Sequence, residues 1–333
     1  MSTRVAAIGG GSWGTTVAHL CAHNAETNLW ARRPEVCEAI TATNENPRYL
    51  GGFDLHPDLN ASADLAEVVD DADVIVMGVA SAGFSSTLEA LAPLVEPGVP
   101  IVSLAKGFET TTGRRMTELI TDAFPNNPVG VLTGPNLAKE VLAGQAAASV
   151  VAFEDQDIAT QLQSLFAIDR FRVYTNTDLV GCELGGALKN VIAIAAGMAD
   201  GLGAGDNTRA AVITRGLAEI TRLGVAMGGR PETFAGLAGM GDLIATCISP
   251  QSRNRTFGEE FGKGRTVEEI AADMNQVAEG VKSAPVVARL GREHGVEMPI
   301  AEEIRAVVED GRTAKEVYRG LLRRPQHGED MPD

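Results

Sequence analysis

One lysine of this sequence lies in a segment with almost no other charge. Lys189 belongs to the stretch LGGALKNVIAIAAGM, and its neighbours on the same face of the predicted helix are Gly185, Gly186, Ile192 and Ala193. An apolar environment lowers the pKa of a lysine and lets it exchange a proton near neutral pH. The same spacing also fits a lysine at a helix edge whose ammonium group reaches water. Spacing alone leaves both interpretations open.

A compact basic and hydrogen-bonding cluster lies further along the chain. The stretch CISPQSRNRTFG contains Ser252, Arg253, Asn254 and Arg255 in succession after a proline turn. Guanidinium groups bind phosphate through paired, charge-assisted hydrogen bonds. The cluster is therefore a candidate phosphate site, and a solvated turn without a ligand is the alternative interpretation.

Two further ionisable residues lie in glycine-containing apolar stretches. Asp242 is part of LAGMGDLIAT, and Lys106 is part of SLAKGFE, directly after a predicted strand. Ligands of open α/β sheets bind beyond the carboxyl ends of the strands. Lys106 is therefore a candidate ligand-binding residue.

The N-terminal stretch AIGGGSWGTTVA contains a phosphate-binding pattern. Gly9, Gly11 and Gly14 match G-x-G-x-x-G between a predicted strand and a predicted helix. The first glycine allows the tight turn, the second lets the backbone approach a pyrophosphate, and the third lets helix and strand pack closely. The N–H groups at the start of the helix then face the phosphates. A plain glycine-rich turn is the alternative to this dinucleotide site.

The end of the second predicted strand indicates which dinucleotide binds. TNLW is followed by ARRPE, so Arg32 and Arg33 stand where an NAD-binding protein usually has an acidic residue for the ribose hydroxyl. Two guanidinium groups suit a 2′-phosphate. The sequence therefore predicts NADP, with NAD as a second cofactor, against the alternative of two solvated surface arginines.

Strands and helices alternate in the first half of the chain. The strand-like runs are RVAAIG, TNLW, VIVMGV, PIVSLA, VGVLTG, SVVAF and RFRVYTN, and helical segments such as 81–95 separate most of them. This alternation predicts a parallel sheet covered on both faces. Long Ala-, Gly- and Leu-rich helical stretches follow without a clear strand. We predict an α/β protein with a Rossmann-type doubly wound sheet (1–177), an all-α substrate-binding and catalytic domain (178–325) and a polar tail (326–333).

Composition limits the partners. The formal net charge of −16 argues against binding to nucleic acid or to an anionic membrane surface. The four cysteines form no CxxC pair, and the surface residues His19 and His23 have no third ligand in the pattern, so we predict reduced thiols and no metal site. No signal peptide pattern precedes the first strand, and no apolar run is expected to reach the roughly 18 residues of a membrane helix. These features favour a cytoplasmic protein.

Six segments together resemble one enzyme family over nearly the whole chain. They are GGGSWG, AKGFE, GPNLAKE, LKNVIAIAAGMADGLGAGDNTRAAVITRGLAEITRLG, GMGDLIAT and QSRNRTFG. The chain is similar to the bacterial type of NAD(P)-dependent sn-glycerol-3-phosphate dehydrogenases. The resemblance departs from the family at Asn136 and Leu137, where Ser or Thr and then Phe are usual, and at Phe108 within AKGFE.

The resemblance implies roles for individual residues. Lys189 resembles the proton-transfer base and Lys106 the second active-site lysine, and Asp242 lies with them at the reacting end. The implied substrate contacts are Lys106, Gly134, Asn190, Thr246, Ser252, Arg253 and Asn254. Besides Gly9, Gly11 and Gly14, the implied cofactor contacts are Ser12, Trp13, Arg32, Arg33, Lys106, Ala138, Arg253, Val277 and Glu279.

The implied reaction is the reversible reduction of dihydroxyacetone phosphate to sn-glycerol 3-phosphate, which supplies phospholipid synthesis. A homodimer is a further expectation. Two alternatives remain at this point: a related dehydrogenase of hydroxy acids, which would need a carboxylate clamp in place of QSRNR, and a non-catalytic NADP-binding regulator, which would have no use for Lys106 and Lys189 together.

Overall fold

The computed structural model describes residues 3–274 and 278–322. The chain forms two compact units, one of Met1–Ala105 with Arg114–Leu179 and the other of Lys106–Gly113 with Val180–Asp333. The sequence pattern places residues 106–113 in the first domain, whereas the structure assigns them to the second unit. The reason is Phe108, whose side chain is buried in the core of the helical unit.

Across the described residues of the first unit, eight strands form one sheet in the order β3-β2-β1-β4-β5-β6-β7-β8. The strands are β1 (Arg4–Ile8), β2 (Glu26–Trp30), β3 (Asn60–Ser62), β4 (Val74–Met77), β5 (Ile101–Ser103), β6 (Val129–Thr133), β7 (Ala147–Phe153) and β8 (Phe171–Asn176). Val5 and Ala7 of β1 belong to one buried cluster and Ala6 and Ile8 to another. Because alternate side chains of a strand point to opposite faces, both faces of the sheet are covered, which confirms the predicted doubly wound sheet.

The sheet is mixed, and the expectation of a fully parallel sheet is wrong at one pairing. β6 and β7 run antiparallel, whereas the other neighbouring strands are parallel. The only helix between them, α7 (Ala138–Leu142), has five residues. It rises about 7.5 Å, less than the roughly 17 Å length of a five-residue strand. The connection therefore does not return the chain to the edge from which β6 started.

Helices of the first unit cover the sheet. They are α1 (Ser12–Ala22), α2 (Pro34–Thr43), α3 (Pro47–Leu50), α4 (Leu65–Val69), α5 (Phe84–Leu91), α6 (Met116–Ala123), α7 and α8 (Gln156–Phe166), with a 3₁₀ turn at Ser81–Gly83. The helix expected at 81–95 is shorter than predicted: α5 ends at Leu91, because Pro93 has no N–H with which to continue the helical hydrogen bonds.

The described elements of the second unit are all helical, as predicted. They are α9 (Leu179–Gly201), α10 (Asp206–Ala226), α11 (Pro231–Phe234), a π-helical turn (Leu237–Gly241), α12 (Asp242–Ile248), α13 (Arg253–Gly262), α14 (Val267–Asp273), α15 (Glu279–Glu293), α16 (Pro299–Asp310) and α17 (Ala314–Leu322). Their apolar side chains form one core around α9.

The length and apolar composition of helix α9 contradict the expectation that no apolar run reaches the length of a membrane helix. It is long and apolar enough to cross a membrane, with a mean hydropathy of 1.5 over an 18-residue window, whereas the sequence interpretation finds no such run. Lys189 is one charge diluted by many Ala, Ile and Gly residues. Because 94% of the window is buried inside the protein, packing accounts for the apolar composition.

Three histidines form a cluster in the first unit. His19 lies on α1 and His23 is the C-cap of that helix. The ring of His56 lies 4.5 Å from that of His23 and 6.5 Å from that of His19. The backbone N–H of His56 donates to His19 Nδ1 at 2.9 Å. His23 is exposed as expected, but His19 is half-buried. Burial, with His23 and His56 nearby, lowers the pKa of His19 to about 4.

This cluster should make the first unit sensitive to acid. The pKa of His19 is lower in the folded state than its ordinary value of 6.5, so the unfolded chain binds the proton first and stability is lost as the pH falls from about 6.5 towards 4. Asn at position 19 can offer an uncharged acceptor near Nδ1. We expect His19→Asn to recover about 1 kcal/mol of the wild-type loss between pH 7 and pH 5. Urea unfolding at both pH values measures it, and exposed His294→Asn, which should behave as wild type, is the control.

Candidate active site

The glycine-rich turn of the first unit has the geometry of a dinucleotide cradle. Gly9 has a φ of +125°, and a Cβ there would lie 2.6 Å from Gly78 O. A Cβ at Gly14 would lie 2.1 Å from Gly9 O, so α1 can approach the turn only with glycine at this position. A Cβ at Gly11 would meet nothing within 4 Å. The turn is tight on its inner side and open at Gly11, which fits a pyrophosphate.

The start of α1 supplies backbone donors at this turn. Gly11 is the N-cap and makes no side-chain cap bond, and the N–H of Thr15 donates to Gly11 O at 2.9 Å. The N–H groups of the first helical turn have no partner within a helix, so they can bind an anion. Ser12 and Trp13, which the resemblance implies as cofactor contacts, are the first two helical residues. The indole N–H of Trp13 is buried without a hydrogen-bond partner.

Asn46 holds the turn, and sequence reasoning missed it. Its side-chain amide donates to Gly10 O at 3.0 Å and to Thr15 Oγ1 at 2.9 Å, and the residue is fully buried. In the sequence it lies in TNENPRYL, where a polar residue before a proline indicates only a turn. Nothing in that pattern signals a contact with residues more than 30 positions earlier.

Arg32 and Arg33 lie just after β2, which ends at Trp30. Arg32 is exposed, and Arg33 forms an ion pair with Glu35 at 3.6 Å. This is the position beyond the second strand at which a ribose substituent is recognised in this fold. Both guanidinium groups are thus accessible beside the sheet edge that carries the glycine-rich turn.

In the second unit, Lys189 and Lys106 share one carboxylate. Lys189 Nζ donates to Asp242 Oδ1 at 2.5 Å and to Thr246 Oγ1 at 2.6 Å, and Lys106 Nζ donates to Asp242 Oδ2 at 2.7 Å. Lys189 is 5% exposed and Asp242 is 2% exposed. The structure therefore supports the buried lysine over the lysine at a helix edge. Two of the three N–H bonds of Lys189 are directed at Asp242 and Thr246, which leaves one for a ligand.

Small residues bring Asp242 to Lys189. Gly185 lies one turn before Lys189 on α9, and a Cβ there would lie 2.5 Å from Ala238 O in the π-helical turn. The turn therefore packs directly on the α9 backbone, and Asp242 begins α12 immediately after it. π-Helical turns are frequent at functional sites. Gly185 of LGGALK and Gly239 of LAGMGD thus allow this approach.

Opposing influences set the protonation of Lys189. Burial lowers its pKa to about 8, Asp242 raises it, and Lys106 lowers it further. A group with this pKa is mostly protonated at neutral pH and can lose its proton slightly above it. Cys247 lies near this group as well, but burial raises the pKa of its thiol to about 12, so it stays protonated.

The segment 106–113 holds Lys106 in place. Asn190 Nδ2 donates to Lys106 O at 2.9 Å, and the ring of Phe108 is anchored in the core of the unit. The backbone N–H groups of Thr111 and Thr112 donate to the Glu109 carboxylate, and Arg289 donates to Thr111 O at 3.1 Å. The Thr112 hydroxyl also donates to this carboxylate, and together with the backbone N–H groups it lowers the pKa of Glu109 to about 2.

The predicted phosphate cluster forms the start of α13. Ser252 is the N-cap, and its hydroxyl accepts the N–H of Arg255 at 3.2 Å. Arg253 is exposed; partial desolvation by the surrounding protein lowers the pKa of its guanidinium, and Glu279 opposes the shift. The side-chain amide of Asn254 already has protein partners: it donates to Asn190 Oδ1 and accepts the N–H of Gly280, both at 2.9 Å. A phosphate at this helix start would meet Arg253 and backbone N–H groups rather than the Asn254 amide.

The predicted site residues are divided between the two units. The second unit holds Lys106, Lys189, Asn190, Asp242, Thr246, Ser252, Arg253, Asn254 and Glu279. The first unit holds Gly9, Gly11, Ser12, Trp13, Gly14, Arg32, Arg33, Gly134 and Ala138. Gly134 follows β6 with a φ of +143°, Ala138 begins α7, and Val277 lies outside the described residues. Among the described residues no group of three or more His, Cys, Asp or Glu could hold a metal ion.

A dinucleotide-type turn on a Rossmann sheet and a buried lysine–aspartate–lysine group in a helical unit define the class of dinucleotide-dependent dehydrogenases. Two family models match: the N-terminus of NAD-dependent glycerol-3-phosphate dehydrogenase over residues 4–159 and its C-terminus over residues 178–319. The chain belongs to the NAD-dependent glycerol-3-phosphate dehydrogenase family.

Individual relatives agree with this assignment. Glycerol-3-phosphate dehydrogenase (NAD(P)+) 2 of Sphingopyxis alaskensis is 61% identical, with 97% of each chain covered. Glycerol-3-phosphate dehydrogenase (NAD(P)+) 1 of Mycobacterium tuberculosis is 52% identical over 96% of this chain and 94% of its own. The solved glycerol-3-phosphate dehydrogenase of Coxiella burnetii superposes with a TM-score of 0.93 at 34% identity, covering 97% of this chain and 99% of that one.

Proposed function

We propose that this enzyme reduces dihydroxyacetone phosphate to sn-glycerol 3-phosphate with NADPH or NADH, reversibly. The observation that supports this most directly is the buried Lys189, held by Asp242 and Thr246 and accompanied by Lys106. The test is an assay of NADPH oxidation with dihydroxyacetone phosphate, repeated with NADH. The same assay with the substrate of a hydroxy-acid dehydrogenase is the comparison. Turnover of that second substrate alone, or cofactor binding without any turnover, would contradict the proposal.

In this proposal, the residues of the second unit have separate roles in binding the substrate and in proton transfer. We place the substrate phosphate at Arg253 and the N-terminus of α13, where an exposed guanidinium and the N–H groups of the first helical turn can both bind an anion. Lys106 holds the substrate oxygens, and its position is fixed through Asn190. Asp242 keeps the two ammonium groups together and favours the protonated form of Lys189 against burial.

The glycine-rich turn and the first turn of α1 would hold the reduced dinucleotide, which would supply the hydride needed to reduce the carbonyl carbon of the substrate. Lys189 delivers a proton from Nζ to the carbonyl oxygen and becomes a neutral amine, which regains a proton from solvent. In the reverse direction the neutral amine accepts the proton of the substrate hydroxyl. The carbonyl thus gains two electrons and two hydrogens in total, as its reduction to an alcohol requires.

Arg32 and Arg33 should favour NADPH. A charge-assisted contact with the 2′-phosphate contributes on the order of 1.5–3 kcal/mol. In ARRPE, arginines stand at the position after β2 where an NAD-binding protein usually has an acidic residue for the ribose hydroxyl. We expect the double variant Arg32→Asp with Arg33→Ala to weaken NADPH binding by at least roughly tenfold and to spare NADH. Fluorescence titration with both cofactors measures this, and an equal loss for both would contradict the role.

We also propose a setting for the reaction. The enzyme would act in the cytoplasm as a homodimer and would supply glycerol phosphate for phospholipid synthesis. Support for self-association comes from Met240, Ile244 and Ile248, which are exposed apolar residues at four-residue spacing in and beside α12. Asp242 and Thr246 of the same segment are buried.

A further inference from the structure

Helices α9 and α13 pack backbone against backbone. A Cβ at Gly197 of α9 would lie 2.0 Å from Arg255 O, and a Cβ at Gly258 of α13 would lie 2.0 Å from Ile194 O. Gly201 shows the same close approach to α13. Interlocking side chains normally fix how two helices slide and rotate against each other. A contact made of glycines provides little such interlocking, so another interaction must fix the position of α13.

Arg255 makes such an interaction, in addition to the hydrogen bond between Asn254 and Asn190. Its guanidinium crosses from α13 to Asp200 on α9, with Nε donating at 3.1 Å and Nη2 at 2.8 Å to Asp200 Oδ2. Nη1 donates to Glu259 Oε2 at 2.9 Å. The side chains of Arg255 and Asp200 are 14% and 11% exposed. Arg209 of α10 also binds Asp200, at 3.2 Å, so one carboxylate joins three helices.

Two consecutive residues at the start of α13 therefore bind different parts of α9. Asn254 is bonded to Asn190, the neighbour of Lys189. Arg255 is bonded to Asp200, about three turns further along α9. Proximity in the sequence groups Arg255 with Arg253 as a candidate phosphate ligand. The guanidinium of Arg255 is instead bonded to Asp200 and Glu259.

We infer that Arg255 is a positioning residue: with Asp200 it fixes α13 along α9, so that Arg253 and the helix N-terminus stand at a set distance from Lys189. This inference rests on the proposed function, because the phosphate site gives the position its importance. Loss of the Arg255–Asp200 pair should weaken substrate binding through Arg253 without removing any group that touches the substrate.

The test compares Arg255→Ala, Arg255→Lys and Asp200→Asn with Arg265→Ala. Arg265 is the matched control because it pairs with Glu260 and Asp273 at a more exposed site. We expect Arg255→Ala and Asp200→Asn each to raise KM for dihydroxyacetone phosphate about tenfold, with kcat within about threefold of wild type. Arg255→Lys should lie between them and wild type, and Arg265→Ala should match wild type.

A double-mutant cycle with Arg253→Ala provides the decisive readout. If Arg255 acts through Arg253, the double variant should be no worse than Arg253→Ala alone. Additive losses together with a silent Asp200→Asn would show that Arg255 binds the phosphate itself. An unchanged KM in Arg255→Ala, with active wild type, would also overturn the inference.

Amide hydrogen exchange separates this inference from the proposed function. Residues 253–262 should exchange faster in Arg255→Ala and in Asp200→Asn but not in Arg265→Ala, and this measurement needs no turnover. Wild-type protein without dehydrogenase activity would reject the proposed function. Unchanged exchange in both variants would reject the positioning role of Arg255.

Discussion

Replacing Lys189 with alanine is expected to lower kcat by roughly 10²–10⁴, the usual contribution of a positioned acid–base group. Lys189 donates to Asp242 and Thr246 within a buried site, so its Nζ is held in a fixed position for proton transfer, and alanine has no group to replace it. Asp242 keeps Lys106 as a partner, which limits the loss of stability. Cofactor binding should survive, since the glycine-rich turn belongs to the other unit.

Two related variants sharpen the result. Lys189→Arg should not restore activity, because a guanidinium does not lose its proton at working pH. Lys189→Met keeps the aliphatic stem and should fold like wild type while remaining inactive. Exposed Lys263→Ala is the control and should retain wild-type kcat. Steady-state kinetics beside a cofactor titration on the same preparations distinguishes lost chemistry from lost binding.

The pH dependence gives an independent check. Burial lowers the pKa of Lys189 to about 8. Reduction needs the protonated amine, so its kcat should fall as the pH rises through about 8, whereas oxidation of glycerol 3-phosphate needs the neutral amine and should rise over the same range. A variant at position 189 that keeps more than about a tenth of the wild-type kcat would move the acid–base role elsewhere, with Lys106 the next candidate.

The sequence shows which residues are unusual but not which of them meet. The apolar neighbours of Lys189 follow from helical periodicity, and Gly9, Gly11 and Gly14 follow from spacing within one turn. The contact of Asp242 with the two lysines does not follow from any local pattern, because Asp242 is 53 residues from Lys189 and 136 from Lys106. Such contacts depend on the close packing of glycine backbones, which a local pattern does not report.

The fold shows the same limit. Long apolar strands and helices are predictable because burial imposes a period on many residues. The sequence does not predict β3, because its three residues, Asn-Ala-Ser, include no large apolar side chain. The segment 106–113 joins the helical unit through the burial of one side chain, Phe108. The partners of Arg255 are likewise tertiary, so its grouping with Arg253 by proximity in sequence was a weak guide to its role.

Replacing Arg253 with alanine is expected to lower kcat/KM for dihydroxyacetone phosphate by about 10²-fold, mostly through KM. Arg253 is the first residue of α13 and is exposed, so its guanidinium is accessible to a phosphate at the start of that helix. A phosphate dianion bound there gains a charge-assisted bond worth about 1.5–3 kcal/mol, and each 1.4 kcal/mol corresponds to about a tenfold change.

The specificity of the effect identifies the phosphate as its cause. Unphosphorylated dihydroxyacetone should be a very poor substrate of the wild type, and Arg253→Ala should change its kcat/KM little, because the missing group is the one that Arg253 binds. Exposed Arg292→Ala, which loses an ion pair with Glu302, should leave both substrates unaffected. Kinetics with the two substrates on the three proteins gives the comparison. If wild type turns over dihydroxyacetone as well as its phosphate, the start of α13 is not a phosphate site, since the binding energy of a dianion would then contribute nothing to the reaction.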